Sequence, residues 1–540
     1  MSEGPEGPTE PGNGLQRLDR DEINKTSVRY IISPKVFEAY EDSDDGDAAR
    51  VDLIIEINLE HRGGRSQGQS EVVDRVRKIV ADDPASKMRA PDLSRHHVFA
   101  RLTRKQLEDL VAADSREAAE AKRAPAIYKV WPDRPLEAYL DRSVRIIKAD
   151  ACLRSFGSDG DGIVWAVADS GIEAGHAHFE LHGNLTLPAV GRPPAQSPRP
   201  GDQPPLEHKD FTLEQTGWGV DGFGHGTHVA GIIAGICPNG WPDVAGSAGK
   251  KAKPTSYRVR REKDHQDRIR NRLERCEKAM QGVAPKAKLV SLKVLDSDGR
   301  GQESSLLAAI DYIARINDDG RWPRIHGLNL SLGYGFDAEW FAAGQSPLCV
   351  AVDRLVRQGV VVVAAAGNDG SAMIATENSP RGRRVGLDQT ITDPGNAELA
   401  ITVGSTHAEQ PHTYGVSYFS SRGPTADGRP KPDIVAPGER IISAASPGAI
   451  SKLIGGDPEL KDAISGADTK AAYYREETGT SMAAPHVSGA IAAFLSVRSE
   501  FIGKPDRIKE ILMTSATDLK RRRDFQGAGL LDLMRAIQSV

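Results

Sequence analysis

Three segments of the 540-residue chain each set a reactive side chain among glycines, at what reads as a strand end or a helix start. In VWAVADSGI, Asp169 closes an apolar strand and is followed by Ser170 and Gly171. In DGFGHGTHVAG, His225 enters a helix after a Gly-rich turn, and in GTSMAAPHVSG, Ser481 begins an apolar helix. A carboxylate, an imidazole and a hydroxyl are the set that nucleophilic acyl transfer requires. A hydroxyl attacks poorly until a base takes its proton. An imidazole does this near neutral pH, and a carboxylate fixes its tautomer and steadies the imidazolium that forms. Taken singly, an Asp after a strand is a turn residue and a Ser before a helix is a cap; the weight lies in the three together and in order. His228 falls on a neighbouring helical face three residues past His225 and reads as structural. His176, His178 and His486 receive no catalytic role.

The elements that must position these groups are legible as well. GIVWAVADSGI, AKLVSLKVLD, IHGLNLSLG and GVVVVAAAGN are short apolar runs with charges kept to their ends. They alternate with helical stretches such as HGTHVAGIIAGI, SSLLAAIDYIARI and PLCVAVDRLVRQG. Continuous apolar strands alternating with helices predict a parallel sheet covered on both faces, an α/β fold. Upstream, the order is different. A strand around Val51–Asn58, a helix carrying Val72, Val76, Ile79 and Val80, a strand over His96–Thr103, a helix from Thr103 and a strand over Pro125–Pro132 describe a small α+β domain, with room for a further short strand between Lys87 and Ser94. The expected organisation is a disordered, Pro/Gly-rich tail over 1–26, an α+β domain over 27–142 and a catalytic domain over 143–540.

The catalytic segments resemble those of the subtilisin-like serine proteases, the subtilases. ADSGI, GHGTHVAG and GTSMAAPHVSG look like that family's three active-site signatures in its Asp, His, Ser order. GVVVVAAAGND resembles the segment that carries its oxyanion asparagine, here Asn368, and LNLSLGYG the strand that lines its substrate cleft. The resemblance implies a three-layer subtilisin-like fold and a serine endopeptidase. Ser481 is then the nucleophile, His225 the base and Asp169 its orienter, with Asn368 and the Ser481 N–H holding the oxyanion. Ser331, Leu332 and Gly333 would pair backbone to backbone with an extended protein or peptide substrate. Residues 27–140, including HHVFARLTRKQLEDLV, resemble the propeptide that precedes many subtilases, so the N-terminal domain is expected to inhibit its own enzyme, with a cut within or just after WPDRPLEAYLDRS. Two rival readings share these residues: an acyl transferase or macrocyclase, in which an amine resolves the acyl-enzyme, and a catalytically silent binding scaffold.

The rest of the sequence narrows the field. Lys plus Arg is 70 and Asp plus Glu 75, a net charge of −5, too even to point to a nucleic-acid or membrane-surface protein. Four scattered cysteines without CxxC spacing argue against a disulfide framework and against a Cys-rich zinc site. The first residues hold no basic start and apolar stretch of a secretory signal, and the longest apolar runs, such as VVVVAAA from Val360 to Ala366, fall far short of the roughly 20 residues that span a bilayer. A cytoplasmic location is expected, with leaderless export left open. Many compact subtilases carry calcium ligands in a loop after the His helix. Here CPNGWPDVAGSAG and residues 249–280, with twelve Lys/Arg against five Asp/Glu, stand in its place. No run of spaced Asp or Asn suited to calcium is visible there, so no metal and no cofactor is assigned. The basic stretch reads as a surface insertion forming a solvated helix, with Ile269 and Leu273 facing the body. A docking surface for an acidic partner is the alternative, and nucleic acid is disfavoured by the near absence of interleaved aromatics. Residues 371–393, with RGRR, form a second polar insertion.

Overall fold

The computed structural model describes residues 30–41, 46–88, 91, 94, 96–132, 140–188, 204–237, 256–263, 269–276, 278–336, 339, 342–376, 379–465 and 471–540. The tail expected over 1–26, and residues 133–139 of the segment where a cut is expected, lie outside them. The chain divides into two compact units, Met1–Glu137 and Ala138–Val540.

The first unit contains α1 (Pro34–Glu41), β1 (Arg50–Ile57), α2 (Gly64–Asp82), β2 (Lys87–Met88), β3 (His97–Thr103), α3 (Arg104–Glu120) and β4 (Ile127–Pro132). Its antiparallel sheet has the order β2-β3-β1-β4. Alternation in β1 sends Leu53, Ile55 and Ile57 to one face, where they share a core with Val72 and Val76 of α2 and Leu107 and Val111 of α3. The start of α3 is fixed by a reciprocal cap. Gln106 N donates to the Thr103 hydroxyl, and Thr103 N donates to the Gln106 side chain.

The second unit is built on β5 (Val164–Asp169), β6 (Lys209–Asp210), α4 (His225–Ile233), β7 (Ile236–Cys237), β8 (Ser256–Lys263), β9 (Ile269–Arg275), β10 (Met280–Gln281), β11 (Lys288–Lys293), α5 (Glu303–Ile316), β12 (Gly327–Leu330), α6 (Pro347–Arg357), β13 (Val361–Ala365), β14 (Ser371–Thr376), β15 (Ser379–Gly386), β16 (Ile401–Thr406), β17 (Ile434–Pro437), β18 (Ile441–Ala444), β19 (Ala472–Glu477) and α7 (Thr480–Val497). Seven strands form a parallel sheet of order β17-β16-β13-β12-β5-β11-β6. Both its faces are covered. Trp165 and Val167 of β5 join Val229 and Ile233 of α4 and Val487 and Ile491 of α7 in one core. Val164, Ala166 and Ala168 join Leu306 and Ile310 of α5 and Leu348 and Val352 of α6 in the other. This explains why the strands read as unbroken apolar runs: neither face meets water. Helix α7 is long and apolar enough to cross a membrane, but 83% of it is buried inside the fold as a core helix.

The basic stretch corrects an expectation. Its described residues form no helix: β8 and β9 make an antiparallel ribbon, and β8 adds in parallel to β19, completing a sheet of order β18-β19-β8-β9. Val259 and Leu273 face each other across the ribbon and pack with Ala445, Ile450 and Leu460. Tyr257 stacks on Tyr473 with ring centroids 6.0 Å apart. Charges at nearly every other position fit either period, so the deciding factor was a partner strand more than 200 residues downstream. The second polar insertion folds as the hairpin β14–β15. All four cysteines, Cys152, Cys237, Cys276 and Cys349, are buried and in thiol form rather than in a disulfide.

Candidate active site

The functional groups gather at the carboxyl ends of the parallel strands, where open α/β sheets form their clefts. Asp169 is the last residue of β5, Ser331 directly follows β12, and Asn368 lies three residues past β13. His225 is the first residue of α4 and Ser481 the second of α7.

Asp169 is 1% exposed, and both its carboxylate oxygens meet His225 Nδ1, at 2.9 and 3.0 Å. Ser170 N also donates to Asp169 Oδ1, at 2.7 Å. Burial disfavours a charged His225 ring, but the charge and hydrogen bond of Asp169, helped by Glu477, outweigh it and raise the imidazole above its ordinary value. The glycines around His225 have separate reasons. Gly224, the N-cap, has φ +88°, and a Cβ there would lie 2.4 Å from Ala449 Cβ. A Cβ on Gly226 would lie 2.2 Å from Gly171 O and 3.2 Å from Asp169 Oδ1.

Ser481 and Asn368 line one cleft of about 480 Å3, together with Ser331, Leu332 and Gly333. The orientation of the Asn368 amide is set by Thr480, whose N and Oγ1 donate to Asn368 Oδ1 at 2.9 and 3.1 Å, leaving Nδ2 as the outward donor. Asn368 Nδ2 at 3.5 Å, Asn368 Oδ1 at 3.7 Å and Ser481 N at 3.7 Å all border the point where a side chain on Gly479 would begin, so the Asn368 amide and the Ser481 N–H share one small volume. Ser481 N also sits in the first turn of α7, where the helix dipole favours negative charge. The structure thus joins Asp169 to His225 directly and places Ser481 beside Asn368. A hydrogen bond from the Ser481 hydroxyl to His225 is not made among the described residues. Such bonds commonly tighten only when substrate arrives.

Two supporting devices escaped sequence reasoning. The first is Asp221. Its buried carboxylate accepts from Gly224 N (2.6 Å), Thr227 N (2.8 Å), Thr227 Oγ1 (2.6 Å) and Ser170 Oγ (2.8 Å). It therefore ties the start of α4 to the end of β5, on either side of the Asp169–His225 pair. Burial pushes its pKa up, against the four donors that favour the ionised form. The visible signal was an Asp four residues before His225. Asp221→Asn places an amide where an oxygen accepts two bonds from Thr227 or two from Gly224 and Ser170. We expect a loss of about 2–3 kcal/mol in stability and a fall in kcat well beyond it, because the pair loses its frame. Thermal unfolding and kcat measured on the same sample check this, and an unchanged kcat contradicts it.

The second device involves Pro485. Inside α7 it has no N–H for the carbonyl four residues back, which is that of Ser481. The Ser331 hydroxyl supplies the missing donor at 2.8 Å. Ser331 Oγ in turn accepts from Asn329 Nδ2, and Asn329 Oδ1 accepts from Ser488 Oγ. Ser331 thus anchors the helix end that carries Ser481 and also begins the extended run that borders the cleft.

His228, His176, His178 and His486, which receive no catalytic role, are buried and held neutral. His228 Nε2 meets Ile441 O and Arg475 O at 3.1 Å each, and burial lowers its pKa well below the ordinary imidazole value. Burial likewise brings His176 and His486 to about 4 and His178 to about 3. Among the described residues, no group of three or more His, Cys, Asp or Glu side chains is arranged to hold a metal ion.

With this geometry in view, the comparisons with known proteins agree on one family. The subtilase family model matches residues 160–530, and the chain belongs to that family. It is similar to serine protease AprX of Bacillus subtilis (strain 168), 28% identical over 419 residues that cover 76% of this chain and 74% of AprX. Subtilisin E of the same organism is 28% identical over 428 residues, 79% of each chain. Pyrolysin of Pyrococcus furiosus is 34% identical over 336 residues, 58% of this chain and 20% of pyrolysin. The protein is a subtilisin-like serine endopeptidase, a hydrolase acting on peptide bonds.

Proposed function

We propose that Asp169, His225 and Ser481 form the catalytic triad and that Asn368 and the Ser481 N–H form the oxyanion hole. The observation that carries this reading is the two-pronged Asp169–His225 contact, made at the carboxyl end of the same parallel sheet whose strand ends carry Ser331 and Asn368 of the cleft that Ser481 lines. Ser481 Oγ attacks the peptide carbonyl as His225 Nε2 takes its proton. The imidazolium then gives that proton to the departing amine. Water, activated by the same ring, releases the acyl group and restores Ser481. Asp169 holds the Nδ1 proton in place and stabilises the ring when charged. The substrate runs extended along Ser331, Leu332 and Gly333, beyond the last ladder pair of β12, Leu330 with Ala364. Recognition through backbone tolerates varied sequence. Product masses from a peptide substrate test it: hydrolysis gives two fragments with one water added, whereas ligated or cyclic products favour the acyl-transferase alternative.

The role of His225 fixes a pH dependence. A protonated ring cannot accept the Ser481 proton, so kcat/KM falls as pH drops through the His225 pKa. That limb is expected above about 6.5, the ordinary imidazole value. Asp169→Asn removes the charge that opposes burial, so the limb should move down in pH while the plateau drops by about 10^4-fold, as for the same change in another serine protease. A limb that stays in place contradicts the pairing.

The N-terminal unit is read as an intramolecular inhibitor and folding aid. Its support is its position before the catalytic unit and a self-contained sheet-and-helix core. Wild type should yield a fragment beginning between about Pro132 and Arg145, while Ser481→Ala stays full length; separately made residues 27–140 should inhibit the mature enzyme. Intact mass spectrometry and an inhibition assay decide this. Absence of both results rejects the propeptide and leaves the catalytic assignment untouched.

A further inference from the structure

The cleft that contains Ser481 has an uneven charge. Among its described lining residues are two carboxylates, Glu303 and Asp369, and no lysine, arginine or histidine. The adjoining smaller cavity, about 200 Å3, is mixed, with Arg300 beside Glu214 and Asp296. Glu303 is half-buried at the first position of α5, and its Oε1 accepts from Tyr334 OH at 2.9 Å and from Leu348 N at 3.1 Å. Both donors are neutral. They fix the carboxylate in place without cancelling its charge. Leu306, Leu332 and Leu348 line the same cleft. A fixed carboxylate among apolar side chains suits an extended cationic one, whose methylenes cover leucine while its head meets the charge.

The position along the cleft follows from the same backbone run. The Ser331 hydroxyl contacts Ser481 O, and the Tyr334 hydroxyl, three residues on, contacts Glu303. Three extended residues span about 10 Å. A substrate strand lying along this run would bring a side chain about three residues from the scissile bond toward Glu303. We propose that Glu303 is a specificity-determining residue that makes this endopeptidase favour lysine or arginine about three positions from the bond it cuts. The inference rests on this cleft being the substrate cleft.

The test uses the purified full-length chain, processed or not, and peptides that differ only in carrying Lys, norleucine or Glu at each position within four residues of the cut. In wild type, kcat/KM with Lys should exceed that with norleucine by about fivefold at one position, with Glu below both. Glu303→Gln should bring the Lys/norleucine ratio close to one, and Glu303→Lys should invert the order in favour of Glu. Raising the salt to 0.5 M should shrink the wild-type ratio. Each ratio is taken within one enzyme preparation, so a partly unfolded fraction cancels. No Lys preference at any position overturns the inference, and so does a ratio that survives Glu303→Gln or vanishes only in Asp369→Asn. Failure to cut any peptide, with Ser481 unlabelled by a fluorophosphonate, overturns the cleft assignment and this inference with it.

Discussion

Replacing Ser481 or His225 with alanine will each lower kcat by about 10^6-fold, and the double variant will be scarcely worse than either single one. That size, about 8 kcal/mol of transition-state stabilisation, is the loss found when either member of the same pair is removed in a subtilisin. The reason for non-additivity is chemical. Without His225 the Ser481 hydroxyl keeps its proton at the moment of attack, and without Ser481 the raised basicity of His225 has no proton to collect. Both groups serve one proton transfer, so the second deletion removes nothing that remains. Single-turnover kinetics on one peptide with the three variants will show it. Two losses that multiply would mean that the groups act in separate steps, and the triad assignment would fail.

The second large effect concerns Asn368→Ala, for which kcat should fall by about 10^2–10^3-fold with KM changed by no more than a few-fold. This is the loss seen when the corresponding donor is removed in a subtilisin. The split between kcat and KM follows from geometry. Asn368 Oδ1 is committed to two bonds from Thr480, which leaves Nδ2 as the atom of this amide that can donate into the volume bordered by Ser481 N. A donor aimed there bonds an oxyanion more strongly than a neutral carbonyl, so it acts mainly on the transition state. Asn368→Asp is a useful companion. It keeps the acceptor that Thr480 holds and replaces the outward donor with negative charge, so its kcat should be lower still. A defect in KM alone would remove Asn368 from the oxyanion site.

Much of this architecture was legible because its rules are local. The strands β5, β11, β12 and β13 announced themselves as apolar runs because both sheet faces are covered, and the helix expected from Thr103 is α3, legible from the spacing of Leu107, Leu110 and Val111. Asp169, His225 and Ser481 stood out because each sits at the boundary between a strand or helix and a glycine-bearing turn, whereas Asn368 emerged from the resemblance of GVVVVAAAGND to a subtilase segment. What stayed hidden depends on distant partners. The ribbon β8–β9 reads equally as a charged helix until β19 offers a strand to pair with. Nothing in the sequence but its place four residues before His225 sets Asp221 apart; its role exists only because β5 and α4 come together around it. The hydroxyl of Ser331 gained its role only because Pro485, 154 residues later, leaves the Ser481 carbonyl without a helical donor. Likewise, Glu303 is an ordinary acidic residue at a helix start until the fold sets it in the same cleft as Ser481.

One measurement bears most directly on the central claim, that Ser481 is a nucleophile activated by His225 in an endopeptidase of the subtilase family. The full-length protein is treated with a fluorophosphonate, digested and mapped by mass spectrometry, with His225→Ala treated in parallel. Wild type should carry a single phosphonyl adduct, on Ser481, with peptide hydrolysis lost in proportion to labelling, and His225→Ala should carry almost none. An enzyme that still cuts peptides while Ser481 stays unlabelled, or one whose adduct forms equally well without His225, would contradict it.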